Sequence, residues 1–230
     1  MSNLRSTIED YQAGMRGKVP QEVLAVMASA TEALKASGIE NRALKTGDLM
    51  PEFTLRNQNG KSRALSSYLS TGPVVLNIYR GGWCPYCNLE MKALHDALPA
   101  IEARGVRLVG MSPEMPDNAL ASAERNGLAI DILSDPGNAV SEKLGLVFEL
   151  PQDLRPIYET FGIDIPAFNG DTTFKLPIPA TYIVDRDRRI RFDFVNADYT
   201  RRAEPSEILG ALDRLFGQAH GLSYNNRSQA

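Results

Sequence analysis

The apolar positions of this chain follow two periods in turn. Over the first forty residues the period is helical: Ile8, Tyr11 and Met15 form a short stripe, with Ser6 and Glu9 at capping-box spacing. Pro20 suits a helix start, Val23, Met27, Ala30 and Leu34 recur at helical steps, and Gly38 suits the stop. Two helices are predicted. They read either as an appendage packed on its own domain or as a dimerisation arm.

Beyond them the pattern turns extended. "GDLMPEFTLRNQNGKSRALSSYL" places the turn pair Asn59-Gly60 between two strand-like segments. "PVVLNIYR" is apolar and β-branched, the pattern of a buried strand. A helix is predicted from Pro85 to Arg104, ended by Gly105 and kinked at Pro99. "VRLVGMS" and "IDILSD" read as strands around a helix over Asp117 to Asn126, which Gly127 closes. Asp135-Pro136 opens another helix that ends at Gly145. Such alternation predicts an α/β architecture with parallel strand pairs.

The rhythm breaks over residues 146–177, where a short helix from Gln152 to Phe161 precedes a long loop, "GIDIPAFNGDTTFKLPIP". Loops of that length are often functional, and simple exposed variability is the alternative. "ATYIVDRDRRIRFDFVNA" then reads as two strands about an Arg186–Arg189 turn, with Ile190, Phe192 and Phe194 on one side. Glu204 to Phe216 is a last amphipathic helix, with Ile208, Leu212 and Leu215 on one face. The expected organisation is a helical extension over 1–43, one α/β domain over 44–219 and a flexible tail over 220–230.

Composition narrows the function classes. The chain has 230 residues, 43% of them hydrophobic and 23% charged, as in soluble globular proteins with a substantial core. The net charge is -3 and no basic run appears, so a nucleic-acid partner has no electrostatic support. The longest apolar runs are too short to span a bilayer. "MSNLRSTIEDYQ" lacks the apolar core of a signal peptide, and a cytoplasmic setting is expected. Thiols there stay mostly reduced, so a retained pair points to catalysis or metal binding.

That pair is Cys84 and Cys87, the only two cysteines, both inside "YRGGWCPYCNLE". Pro85 suits a first helical turn, which sets Cys84 at the mouth of a helix and Cys87 one turn inside. Unpaired N–H groups there stabilise a thiolate and lower its pKa from roughly 8.5 into the 3.5–7.5 range. Cys84, Cys87, Met91, Leu94, Leu98 and Ile101 follow steps of three and four. The pattern predicts an exposed Cys84 and a sheltered Cys87, an attacker and its resolver able to close a redox-active disulfide. Zinc would need further ligands: there is no second cysteine pair, and the two histidines, His95 and His220, lie far apart in sequence. Neither a metal nor another cofactor is expected.

"VVLNIYRGGWCPYC" resembles the active-site strand and turn of thioredoxin-fold proteins. "GDLMPEFTLRNQNGKSRALSSYL" and "PIPATYIVDRDRRIRF" resemble the opening and the late strand pair of the alkyl hydroperoxide reductase/thiol-specific antioxidant group, the peroxiredoxins. The resemblance spans Leu44 to Phe216 and is closest to peroxiredoxin-like proteins with W-C-P-Y-C. It implies a thioredoxin-like fold, a central mixed sheet flanked by helices, with Pro179 as a cis-proline beside the thiols. The chain departs from the family's P-x-x-x-T-x-x-C motif, which falls on Arg80, Cys84 and Cys87: arginine replaces the proline, and cysteine the threonine. The family's supporting arginine would fall near Pro179-Ala180 and is absent there. Arg80 could lower a thiol pKa or simply be solvated, and Trp83 could shield the thiols or pack at their rim.

Three functions remain. One is a thiol peroxidase acting on hydrogen peroxide or organic hydroperoxides and regenerated by a thioredoxin-like or small-thiol reductant. The second is a thiol–disulfide oxidoreductase. The third is a redox-sensing interaction module. The family resemblance favours the first. Helix-end geometry makes Cys84 the attacker, whereas the peroxiredoxin register points to Cys87; the missing activating groups favour Cys84. The helical extension makes a homodimer an expectation.

Overall fold

The computed structural model of the chain describes residues 3–217, so the expected tail over 220–230 lies outside the described residues. The elements run α1 (Leu4–Met15), α2 (Gln21–Ala36), α3 (Ile39–Arg42), β1 (Thr54–Asn57), β2 (Ser62–Ala64), α4 (Leu65–Leu69) and β3 (Val74–Ile78). There follow α5 (Pro85–Asp96), α6 (Leu98–Glu102), β4 (Arg107–Ser112), α7 (Pro116–Arg125), β5 (Asp131–Ser134) and α8 (Ala139–Lys143). The chain continues with β6 (Val147–Glu149), α9 (Leu154–Thr160), α10 (Ile165–Asn169), β7 (Lys175–Pro177), β8 (Ala180–Val184), β9 (Ile190–Val195) and α11 (Pro205–Phe216).

Seven strands form one mixed sheet in the order β2-β1-β5-β4-β3-β8-β9. β3 pairs in parallel with β4 and β4 with β5, while β8 runs antiparallel to β3. The interior strand β3 is buried along its whole length because both faces are covered. Val74, Leu76 and Ile78 face a core built with Ile39, Leu65, Tyr68 and Val140 from α3, α4 and α8. Val75 and Tyr79 face the other core, which α5, α7 and α11 supply through Met91, Leu94, Ala119 and Leu212. The expected fold, a mixed sheet between helical layers preceded by N-terminal helices, is the one observed.

Local details depart from the sequence reading, each for a physical reason. Helix α1 starts before Ser6: Asn3 is its cap, accepting from the Ser6 N–H at 3.2 Å, and this brings Leu4 into the apolar stripe. The predicted helix over 85–104 divides at Ala97, because Pro99 cannot donate into the α5 ladder and instead sits in the first turn of α6. The expected long loop contains α10 and β7, whose pairing with β6 satisfies its backbone. A register shift between Ile183 and Val184 pairs Ile183 with Phe192 but Val184 with Ile190. The extra residue flips the side-chain parity, so Ile190 joins the first core while Phe192 and Phe194 pack on the second. Leu215 is 39% exposed, because α11 buries Leu209 and Ala211 beside Ile208 and Leu212 instead.

The N-terminal helices lie on their own domain. Leu4 and Ile8 cluster with Ala93 of α5, and Val26, Met27 and Ala30 of α2 pack against the α9 cluster. The Glu204 carboxylate accepts the N–H groups of Leu4 and Arg5 at 3.1 and 2.6 Å, while the same residue caps α11.

Candidate active site

The turn from β3 into α5 needs glycine twice. Gly81 takes φ +142, and a Cβ at Gly82 would overlap Ser122 Oγ of α7. This close approach delivers Cys84 to the N-cap position of α5, with Pro85 at the start of the helix, as the sequence predicts. The Cys84 carbonyl accepts the first intrahelical bond, from Asn88 N–H at 3.1 Å. Cys87 follows on the inward face.

Both cysteines are unpaired thiols, and both are buried: Cys84 is 2% exposed and Cys87 0%. The expected exposed Cys84 is therefore corrected. The N-terminal helices and an aromatic collar cover that end of α5, a tertiary effect that helix periodicity does not carry. The two thiols still differ in access. Cys84 lines a cleft of about 740 Å³, and Cys87 is not among its walls.

Their electrostatics differ as well. Burial pushes the Cys84 thiol up, but the hydrogen bond from Cys87 and the guanidiniums of Arg80 and Arg202 outweigh it and bring Cys84 down to about 6. Cys87 is held well above its ordinary value by burial and by its bond and proximity to Cys84, against the pull of Arg202. At neutral pH the pair carries one charge, centred on Cys84.

Arg80 is buried inside a ring of aromatics, with its guanidinium 5.0, 5.6 and 4.9 Å from the ring centres of Trp83, Tyr158 and Tyr199. Its Nη2 donates to Tyr158 Oη at 2.6 Å. Arg80 is thus a fixed, desolvated cation and not a solvated side chain. Trp83 meets Tyr158 edge to face and lines the cleft beside Cys84.

The Ile178-Pro179 bond is trans, since no peptide bond among the described residues is cis. The expected cis-proline, which the family resemblance implies, is therefore corrected; trans is the ordinary preference of an X-Pro bond. Here the chain runs extended from β7 into β8, with the Pro179 carbonyl accepting Asn196 N–H at 3.4 Å. Pro179 lines a second cleft together with Arg80 and Tyr199.

Three further charged groups escape sequence reasoning. Arg202, from the segment between β9 and α11, donates from Nη2 to Cys87 Sγ at 3.5 Å and from Nη1 to Glu90 Oε2 at 2.8 Å. Both members of that ion pair are buried, at 1% and 2% exposure of their side chains. Burial raises the Glu90 carboxyl to about 7 despite Arg202. Glu114, after β4, is likewise raised to about 7, first by burial; its Oε1 has no hydrogen-bond partner. One signal for Glu90 is present in the sequence: it follows Cys87 by three residues, so a carboxylate stands on the inward stripe and requires a buried cation.

A thioredoxin-like sheet that presents two thiols at one helix N-terminus defines a thioredoxin-fold dithiol protein. The AhpC/TSA family model matches residues 46–193, and the chain belongs to that family. Peroxiredoxin Q of Triticum aestivum, a chloroplastic protein, is 26% identical over 199 residues, covering 86% of this chain and 79% of its own length. The crystal structure of the peroxidoxin BcpB from Mycobacterium tuberculosis is similar in fold, with a TM-score of 0.60 and 24% identity over 75% of this chain and 98% of that one. Peroxiredoxin 6 of Arenicola marina, solved as a cysteine-to-serine mutant, gives a TM-score of 0.62 at 19% identity, with 77% of this chain and 76% of that one covered. Among the described residues no helix is long and apolar enough to cross a membrane, and no three metal-ligating side chains converge.

Proposed function

We propose that Cys84 and Cys87 carry the reaction of this chain, which as a peroxiredoxin-like member of its family is a thiol-dependent peroxidase. The Cys84 thiolate attacks the terminal oxygen of a hydroperoxide. The O–O bond breaks, the remainder leaves as an alcohol or water after taking a proton, and Cys84 becomes a sulfenic acid. Cys87 then attacks the Cys84 sulfur. The S–S bond forms, and the hydroxyl leaves with the Cys87 proton as water. An external dithiol of the thioredoxin kind, or a small thiol, reduces the disulfide and restores both thiols. The observation that carries this reading is the division between the two thiols: Cys84 lines the cleft with its pKa brought down to about 6, and Cys87 lies behind it, well above its ordinary value.

Single-turnover oxidation of the reduced protein by hydrogen peroxide, followed by the fluorescence of its one tryptophan, Trp83, tests the assignment. The rate is expected to rise with pH through about 6 and then level, because the thiolate is the nucleophile. Cys84→Ser should lose the reaction. Cys87→Ser should react once and retain a sulfenic acid on Cys84. A sulfenic acid trapped on Cys87 of the Cys84→Ser protein, formed at the wild-type rate, would reverse the roles.

A homodimer through residues 1–43 is supported by α2, none of whose side chains is buried in the single chain. Sedimentation of the full chain tests it, and a monomer sinks it. A cytoplasmic setting is supported by the presence of two thiols committed to each other and no other cysteine.

A further inference from the structure

Two arginines are buried beside the thiols, and their charges are balanced differently. Arg202 has the Glu90 carboxylate at 2.8 Å. Arg80 takes part in no ion pair among the described residues. A guanidinium carries five N–H donors and keeps its charge. That of Arg80 donates to Tyr158 Oη at 2.6 Å, and its Nε is buried with no acceptor. The rings of Trp83, Tyr158 and Tyr199 stabilise the cation but bring no net charge to it. Its counter-charge is the Cys84 thiolate. That charge exists only in the reduced protein. On oxidation two electrons pass from the pair to the peroxide, the Cys87 proton leaves in water, and the S–S bond that forms is neutral. Arg80 is then a buried cation without a counter-ion, which is a costly arrangement.

The second cleft, of about 200 Å³, is walled by Arg80 and not by Cys84. Leu34, Phe148, Leu150 and Ile178 make much of its lining apolar. Its polar groups are mostly committed elsewhere. The hydroxyls of Thr31 and Ser37 donate to the α2 backbone at 3.0 and 2.6 Å. The Glu149 carboxylate is 62% exposed and pairs with Arg155 at 2.6 Å. Arg80 is left as the charge in this cleft without a carboxylate partner. A ligand matching these walls has an anionic head and a short apolar body, and a carboxylate fits the guanidinium fork. We propose that the second cleft binds a small monocarboxylate with an apolar body, its carboxylate paired with Arg80, and that the redox state of Cys84 and Cys87 sets its affinity. The redox link rests on the dithiol cycle proposed above; the anion site itself does not.

The test is a calorimetric titration of the full chain with hexanoate, once as the dithiol and once as the disulfide, each state checked by mass. Hexanoate is expected to bind the oxidised protein at least about tenfold more tightly, because the thiolate no longer competes for Arg80. 1-Hexanol, the same body without the charge, should bind neither form measurably. By reciprocity, saturating hexanoate should move the midpoint potential of the pair about 30 mV more negative for each tenfold of that preference. Arg80→Met should abolish hexanoate binding. Since that change also touches the thiols, Ala33→Phe gives an independent check. Ala33 lines the cleft from the exposed side of α2 and belongs to no core cluster, so a larger side chain there fills the site without entering the core. It should weaken hexanoate about tenfold. No hexanoate binding to either form, or equal binding of hexanoate and 1-hexanol, would overturn the anion site. Equal affinities of the two forms would overturn the redox link. Failure of the pair to form a disulfide would overturn the dithiol cycle and the redox link together, and hexanoate binding to the reduced chain would still decide the anion site.

Discussion

Cys84 and Cys87 stand one helical turn apart, yet their neighbours assign them opposite characters. Cys84 has the helix N-terminus, the Cys87 hydrogen bond and Arg80 to stabilise its charge. Cys87 has Arg202 at 3.5 Å, but burial and the adjacent thiolate prevail over it. Arg202 also neutralises Glu90, and the two cannot be separated cheaply. Arg202→Met leaves a buried carboxyl without its partner and is expected to cost about 3 kcal/mol, the lower end for a broken buried pair, because Glu90 can take up a proton. The sign of the pH dependence follows. Folding already raises Glu90 from its ordinary value of 4.5 to about 7. Removing the cation raises it further, so the folded variant binds a proton that the unfolded chain releases. Its stability therefore falls as pH rises, and the gap to wild type widens above pH 7. Urea unfolding at pH 6 and 8 measures it; a gap that narrows at pH 8 would show that Glu90 is not the group left unpaired.

At the scale of elements, α1 is joined to α11 through a shared cap. One carboxylate, Glu204, accepts two N–H groups at the start of α1 and also takes part in the capping box of α11. Replacing it with alanine removes side-chain acceptors at two helix N-termini and is expected to cost about 1–2 kcal/mol. Hydrogen exchange should quicken in α1 and at the start of α11, while the amides of β3 and β4 keep their protection. Unchanged exchange in α1 would mean that Leu4 and Ile8 hold it without the cap. Periodicity locates both of these helices. It cannot locate the carboxylate shared between them, because the partners lie about two hundred residues apart.

At the scale of the molecule, the junction between the helical extension and the sheet runs through the core. Ile39 and Ala43 are buried among Leu65, Val74 and Tyr182, whereas the apolar side chains of α2 are only partly buried. A shortened chain starting at Gly38 is expected to unfold cooperatively. One starting at Leu44 should be less stable by about 2–5 kcal/mol, the usual cost of deleting a buried isoleucine. Thermal unfolding of the two compares them directly, and equal midpoints would mean that the core closes without Ile39. The strand–helix order outside residues 146–177, the Asn59-Gly60 turn, the break near Pro99 and the placing of two thiols at one helix start are all legible in the chain before it folds. Each depends on the steric or hydrogen-bonding character of residues a few positions apart. Folding alone roofs Cys84, turns Ile190 away from Phe192, and closes Arg202 and Glu90 over Cys87. Those features depend on contacts between distant segments, and on the cost of burying charge, which no local pattern encodes.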